Sequence, residues 1–240
     1  LTDAIILFVK RKITAVGTGI SIPKGANEIY ATGKQVYPGL ILPSSSLGLR
    51  EISSGVRGSN DYQEIGENNA DIRSIVSYNT DSKIINVLRS NGILLAHVSP
   101  SGELIEGRSS VVQLDAWNWE DAVIEYDQGI HVNWPSPYTF GRWWLGEDRG
   151  LKANNNYSKQ IKDLKNFFEK SKANMNIENS MNLKSNAMKT VLDGETSVYL
   201  YADDEKEIVD GVTFLKSFGI DKIVIVGATE SKNQLNFIKV

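Results

Sequence analysis

The sequence predicts an α/β protein, because segments typical of helices and of buried strands alternate along it. Residues 81–92 (DSKIINVLRSNG) carry apolar side chains at helical spacing, with Asp81 placed to begin the helix and Gly92 to end it. The apolar residues 93–98 follow as a strand. Residues 196–226 then predict a strand, a helix and a second strand. This alternation predicts either a barrel or an open sheet with helices packed on it.

The first 36 residues have a different sequence pattern, which predicts a small antiparallel sheet. Short strand candidates separated by glycine-containing turns lie at residues 4–9, 12–16, 20–22, 28–31 and 35–37. A sheet of this size cannot bury a core alone. We therefore expect two parts: a small β-element over residues 1–36, and the main α/β domain over residues 37–240.

Two stretches interrupt the pattern of the main domain. Residues 50–80 are polar and have few periodic apolar positions, so they predict a long surface excursion. Residues 156–172 predict a further helix with Leu164 and Phe168 on its apolar face, flanked by asparagine-rich segments. We expect this helix to be a loosely packed insertion.

Composition narrows the possible functions. The net charge is −3, which gives no general attraction to nucleic acid or anionic membranes. No apolar run approaches the roughly 20 residues that a membrane span requires. The chain has no cysteines and only two histidines, His97 and His131, so thiolate metal sites are excluded and a histidine-rich zinc site is difficult to build. We expect a soluble protein of the cytoplasm or the periplasm, and the sequence does not decide between them.

Three stretches point to a family. They are residues 12–17 (KITAVG), 31–34 (ATGK) and 36–41 (VYPGLI), in which several glycines and one proline fall at family spacing. With these motifs the chain resembles the amidohydrolase superfamily, close to its imidazolonepropionase and dihydroorotase-like branch. The resemblance implies a (β/α)₈ TIM-type barrel, here partial, preceded by a small β-sandwich element. It also implies hydrolysis of C–N bonds with zinc or another divalent metal.

The same resemblance identifies positions where metal ligands are replaced. The family's His-x-His pair corresponds to Ser44 and Ser46, within the sequence Ser-Ser-Ser, and a later histidine corresponds to Tyr201. A serine hydroxyl is a far poorer zinc ligand than an imidazole. We therefore expect no metal cofactor in this chain.

Other residues have both a structural and a functional interpretation. His97 lies in an apolar run, as an isolated structural histidine would, whereas His131 has some potential to face a ligand pocket. All five tryptophans lie between residues 117 and 144, where they form either a packed core or an aromatic wall for a sugar or peptide. Trp134 is a candidate for ligand contact. Asp203 either begins a helix or contacts a substrate at the end of a strand.

These observations leave three hypotheses for function. The first is an amidohydrolase-like protein that lacks the metal centre and is degenerate, non-catalytic or part of a longer hydrolase. The second is an active hydrolase of amide or cyclic amide bonds that uses other residues. The third is an aromatic-rich scaffold that binds carbohydrate or peptide. Expected partners are a small molecule or peptide, a second copy of the chain, or the remainder of a longer protein, because both ends of the sequence resemble cut ends.

Overall fold

The computed structural model describes residues 3–10, 12–51, 60–141, 143–177 and 181–238. The chain divides into two units, Leu1–Pro38 and Gly39–Val240. In the first unit, β1 (Ile5–Val9) and β2 (Lys12–Gly17) form an antiparallel hairpin.

The other strands predicted for the first unit do not form, although residues 18–39 are all described. Side chains of these predicted strands that were expected to be half-buried, such as Ile29 and Tyr30, are largely exposed. A single hairpin offers no second layer against which they could pack. The described part of the first unit is therefore a hairpin followed by an irregular segment.

The second unit contains most of the secondary structure. Its described strands are β3 (Leu40–Ser45), β4 (Ile93–Val98), β5 (Ile105–Gln113), β6 (Val123–Asn133), β7 (Tyr138–Phe140), β8 (Leu151–Ala153), β9 (Ser197–Ala202) and β10 (Ile223–Gly227). Six of them form one curled sheet in the order β10-β9-β6-β5-β4-β3, which resembles half of a barrel, and β7 pairs with β8 in a separate hairpin.

The sheet is mixed rather than fully parallel. Neighbouring strands are parallel except for β5, which runs antiparallel to both β4 and β6. The connections before and after β5, residues 99–104 and 114–122, are shorter than the dozen or so residues that a parallel crossover needs. The continuous β/α alternation that the sequence suggested is therefore interrupted here by an antiparallel meander.

Helices pack on the outer face of this sheet. They are α1 (Lys83–Ser90), α2 (Trp119–Ala122), α3 (Tyr157–Asn174), α4 (Leu183–Ala187), α5 (Lys189–Leu192), α6 (Glu205–Ser217) and α7 (Leu235–Ile238). Short 3₁₀ turns lie at Ser74–Ser77, Trp143–Leu145 and Ser231–Gln234. The predicted helices and strands of residues 81–98 and 196–226 are present with shifts of one or two residues.

The larger of two apolar clusters joins α3 and α6 to the outer side chains of β6 and β9. Phe168 of α3 lies at its centre, fully buried and in ring contact with Phe167, Phe214 and Phe218. Helix α3 is thus a member of the core, so the expectation of a loosely packed insertion was wrong. Its Leu164 and Phe168 are one turn apart and face the sheet together.

The start of α6 shows how the sequence fixes a helix end. Asp204 caps the helix: its side chain accepts a hydrogen bond from Lys206 N, while the Glu207 side chain bonds back to the Asp204 backbone. This reciprocal capping box satisfies backbone donors that would otherwise lack partners. Asp204, and not its neighbour Asp203, is therefore the cap of this helix.

A smaller apolar cluster includes Ile85 of α1 together with Ala96 and Val98 of β4 and Val112 of β5. It supports the half of the sheet that carries β3. Across the described ranges, no helix combines the length and apolarity needed to cross a bilayer.

Candidate functional site

A chain of hydrogen bonds lies at the carboxyl ends of the parallel strands, on the inner face of the curled sheet. Ser44 Oγ of β3 is 3.2 Å from the Tyr201 hydroxyl of β9, and that hydroxyl is 3.1 Å from His131 Nδ1 of β6. Ser99 Oγ, just beyond β4, lies 3.5 Å from Ser44 Oγ. Four strands thus contribute to one polar cluster, at the end of the sheet where barrel proteins place their sites.

The backbone around Ser44 is unusual. Its φ is +49°, in the left-handed region that non-glycine residues rarely adopt. The register between β3 and β4 also shifts between Leu42 and Ser45. Such irregularities re-aim a side chain near functional sites, and here Ser44 meets a residue that is far away in sequence.

The two histidines lie together beside this chain. The His97 and His131 rings have centroids 5.7 Å apart, and the Tyr199 ring lies 4.6 Å from the first and 4.8 Å from the second. The Tyr199 and His131 rings are nearly parallel, at 6°. His97 is therefore not the isolated structural histidine that the sequence suggested.

Burial keeps both imidazoles neutral. It lowers the pKa of His97 to about 4, although Gln128 beside the ring partly opposes this shift. It lowers the pKa of His131 to about 3, with a further contribution from His97. Burial also raises the pKa of Tyr201, whose phenol therefore stays protonated. The cluster accordingly offers hydrogen bonds without carrying charge.

One carboxyl group joins the same end of the sheet. Glu106 lies near the start of β5 and accepts a 2.7 Å hydrogen bond from Asn133 Nδ2 of β6. Burial raises its pKa to about 7, while bonds from the Gly102 backbone and Asn133 act in the opposite direction. Glu106 is therefore the group of this site that changes charge near neutral pH.

The donor set does not fit the metal of an amidohydrolase. Ser44 and Tyr201 offer hydroxyl groups, and these are bonded to each other and to His131. Imidazoles and carboxylates are the usual zinc donors alongside thiolates. Among the described residues, no three or more histidine, aspartate, glutamate or cysteine side chains are grouped so that they could hold an ion.

The structure separates the other candidate residues. Ser46 lies one residue beyond β3, where its backbone carbonyl accepts hydrogen bonds from Leu49 N and Arg50 N at the start of a turn, so it stands outside the strand that carries Ser44. Asp203 is exposed after β9 and accepts a 2.7 Å hydrogen bond from Thr229 Oγ1. The roles of Ser46 and Asp203 in ligand binding remain predictions.

The tryptophans do not form one wall. Trp134 is buried against Phe214 in the larger core cluster. Trp143 and Trp144, in the β7–β8 hairpin, are exposed and in edge-to-face contact, and Trp117 is exposed elsewhere. The predicted contact between Trp134 and a ligand remains a prediction, and its packing accounts for its position.

Sequence reasoning missed Glu106, Asn133 and the pairing of His97 with His131. Alternation along β6 places His131 and Asn133 on one face, which is a signal that could have associated these two. Nothing in the sequence around Glu106 (LIEGRSS) distinguishes it from a surface carboxylate.

No protein-family model matches the sequence, and no curated protein does. Among solved structures, the chain is similar to the crystal structure of an amidohydrolase from Thermotoga maritima MSB8, with 18% sequence identity and a TM-score of 0.80. The match covers 97% of this chain and 62% of that chain, so this chain spans less than two thirds of that amidohydrolase. The second unit, with its curled mixed sheet and outer helices, has the fold of part of an amidohydrolase.

Proposed function

We propose that this chain is an amidohydrolase-fold protein, of the imidazolonepropionase and dihydroorotase-like branch, that binds its ligand without hydrolysing it. The hydrogen-bonded chain of Ser44, Tyr201 and His131 carries the proposal. These groups lie at the carboxyl ends of parallel strands, the end where barrel enzymes have their sites, and they are uncharged and hydrogen-bonded to one another. The proposal includes a degenerate metal position without a divalent cofactor, and a first unit that corresponds to the superfamily's β-sandwich.

The neutrality of the cluster indicates the kind of ligand. Two uncharged imidazoles and two protonated phenols offer donors and acceptors without charge, and the Glu106 carboxyl adds a negative charge only above its pKa of about 7. Burying an ion there without a partner would be costly. A small uncharged molecule with amide or hydroxyl groups, or a short peptide, fits better than a charged one.

Hydrolysis of a C–N bond by this chain is the second candidate, and one observation favours it. Glu106, with its pKa of about 7, has the value that a general acid or base needs at neutral pH. It would require an activated water or a nucleophile, for which the Ser44 hydroxyl of the cluster is a candidate. An aromatic scaffold for carbohydrate or peptide is less supported, because the tryptophans are dispersed.

Binding and turnover can be separated by experiment. Hydantoin, an uncharged cyclic ureide, serves as the probe, and its binding is measured by calorimetry for the wild type and for Tyr201→Phe. We expect hydantoin to bind the wild type, the variant to bind it at least tenfold more weakly, and neither protein to hydrolyse it with or without added zinc. Hydrolysis that Ser44→Ala or Glu106→Gln abolishes would establish the second candidate, and one tightly held zinc per chain would overturn the proposal.

A further inference from the structure

The imidazole pair is a built arrangement rather than a chance approach. His97 and His131 stand on β4 and β6, which flank β5. On β5 they are paired with Val111 and Gly107, which are four residues apart, so their backbones are separated both across and along the sheet. The ring centroids are nevertheless only 5.7 Å apart, so the side chains extend towards each other across β5.

A third ring covers the gap between them. The Tyr199 centroid lies at nearly the same distance from both imidazoles, 4.6 and 4.8 Å, and its plane is nearly parallel to that of His131. Gly129 allows this placement, because a Cβ there would lie 2.4 Å from the Tyr199 ring. The aromatic face of Tyr199 thus closes one side of the pair.

Each imidazole has one polar partner, and each has one buried ring nitrogen that has no hydrogen-bond partner among the described residues. His131 Nδ1 bonds to the Tyr201 hydroxyl, and the Gln128 side chain interacts with His97. The Nε2 atoms of both rings are buried and have no hydrogen-bond partner within the described ranges. A polar outer partner on one nitrogen with the other nitrogen left free is the pattern by which proteins orient a metal-binding imidazole.

The spacing of the rings suits a shared ion. Two imidazoles that bind one ion at about 2 Å through a ring nitrogen have centroids roughly 6.3 Å apart when the nitrogen–ion–nitrogen angle is linear and roughly 5 Å apart when it is tetrahedral. The observed 5.7 Å therefore corresponds to a bent arrangement between these limits. The site offers two neutral nitrogens and an aromatic face, with no third conventional ligand among the described residues. Divalent zinc normally takes four ligands.

The charge of the ion decides between divalent zinc and a monovalent ion such as copper(I). The cost of moving an ion into a medium of low dielectric constant rises with the square of its charge, so a dication in this uncharged, buried site is strongly disfavoured. Monovalent ions with a filled d shell accept as few as two or three donors, so two imidazole nitrogens at a bent angle and the face of Tyr199 are sufficient for them. Imidazole suits copper, and an aromatic face attracts a desolvated cation.

We propose that His97 and His131 form a binding site for one copper(I) ion beneath the ring of Tyr199. The site is distinct from the hydroxyl cluster that replaces the superfamily's metal ligands, to which it is joined through the bond between His131 and Tyr201. It does not depend on the function proposed above, because copper could be bound whether or not the chain hydrolyses a substrate.

Silver(I) tests the site without redox chemistry, and the absence of cysteine from the chain removes the strongest competing ligand. Silver affinity is measured by competition calorimetry for the wild type, His97→Gln, His131→Gln, Tyr199→Phe and Tyr199→Leu. We expect one silver ion per wild-type chain, at least tenfold weaker binding in each histidine variant and in Tyr199→Leu, and little change in Tyr199→Phe. Zinc should bind the wild type more weakly than silver does.

A second measurement holds even where a variant fails to fold. The chain has only two histidines, so the imidazole ¹⁵N spectrum of the wild type contains two pairs of ring signals. Silver should move the Nε2 signal of both rings together, with saturation at one ion per chain. Unchanged imidazole signals under saturating silver, or equal silver affinity in the wild type and both histidine variants, would overturn the proposal.

Discussion

Glu106→Gln should stabilise the protein at pH 8 and change its stability little at pH 5. The Glu106 side chain is buried, with 4% of the residue exposed, and burial raises its pKa from 4.5 to about 7. Between these two values the native state keeps a proton that the unfolded state has lost. The free energy of unfolding therefore falls as the pH rises through this window.

The size of the effect follows from the shift. One pKa unit corresponds to about 1.4 kcal/mol, so the ionised carboxylate lowers the free energy of unfolding by about 3 kcal/mol at pH 8. Glutamine has no charge to desolvate, and its side-chain oxygen can accept the hydrogen bond that Asn133 donates to Glu106. At pH 5 the native carboxyl group is already neutral, so the substitution should change stability by less than about 1 kcal/mol.

The assay is urea denaturation followed by tryptophan fluorescence at pH 5, 6.5 and 8. Glu103→Gln is the matched control, because Glu103 is an exposed carboxylate three residues earlier in the chain, and it should behave like the wild type at each pH. For a protein of this size, a gain of about 3 kcal/mol corresponds to a rise in Tm of roughly 6 to 12 °C. Equal effects of Glu106→Gln at pH 5 and pH 8, or a loss of stability at pH 8, would refute the reasoning.

Three further outcomes are expected. In the Glu106→Gln background, each buried histidine should lower the free energy of unfolding by about 2 kcal/mol when the pH falls from 7 to 5. The reason is that the unfolded imidazole takes up a proton below pH 6.5, while the native imidazoles, with pKa values of about 4 and 3, stay neutral. In urea titrations, His97→Gln and His131→Gln should each remove one such loss. The double variant Ser44→His/Tyr201→His should bind zinc at least tenfold more tightly than the wild type in competition with a chromogenic chelator, because Tyr201 contacts both Ser44 and His131. Ser46→His/Tyr201→His, whose first position lies beyond β3 at a turn, should gain less. Phe168→Ala should lower the free energy of unfolding by about 3 to 5 kcal/mol, since Phe168 is fully buried among aromatic rings; a loss below about 1 kcal/mol in urea denaturation would show that this ring is not a centre of the core.

Local sequence signals were sufficient for several elements. The spacing of apolar residues predicted α3 and α6, and the acidic start of α6 predicted its cap. The continuous apolar run of residues 223–226 predicted a strand, and β10 is present and parallel to β9; only its expected burial was wrong, because β10 is the end strand of the described sheet and has no buried residue. These predictions succeeded because they depend on residues that are near one another in the chain.

The direction of β5 was missed for a different reason. Its sequence, IEGRSSVVQ, is buried along most of its length, so no alternation of polar and apolar residues marks it as a strand. Once it is known to be a strand, the short connections on both sides require it to be antiparallel. The error arose from applying the continuous β/α order of the resembled barrel to a segment that departs from it.

The histidine pair could not be predicted from either residue alone. His97 and His131 are separated by β5, and their approach depends on the register of three strands. Periodicity gives the face on which a side chain lies but not its neighbours across the sheet. The convergence of Ser44 with Tyr201 was expected only because the resemblance assigned both to one metal centre.

The reversed strand β5 also bears on the order in which the protein folds. Strands β4, β5 and β6 are joined by connections of residues 99–104 and 114–122, whereas β3 meets β4 only after residues 46–92 are closed into a loop, and β6 meets β9 after residues 134–196. The entropic cost of closing a loop grows with its length, and sequence-local contacts form faster than distant ones. We therefore expect the antiparallel meander to form first and the parallel strands to join it at either side, so that the sheet grows outward from its centre.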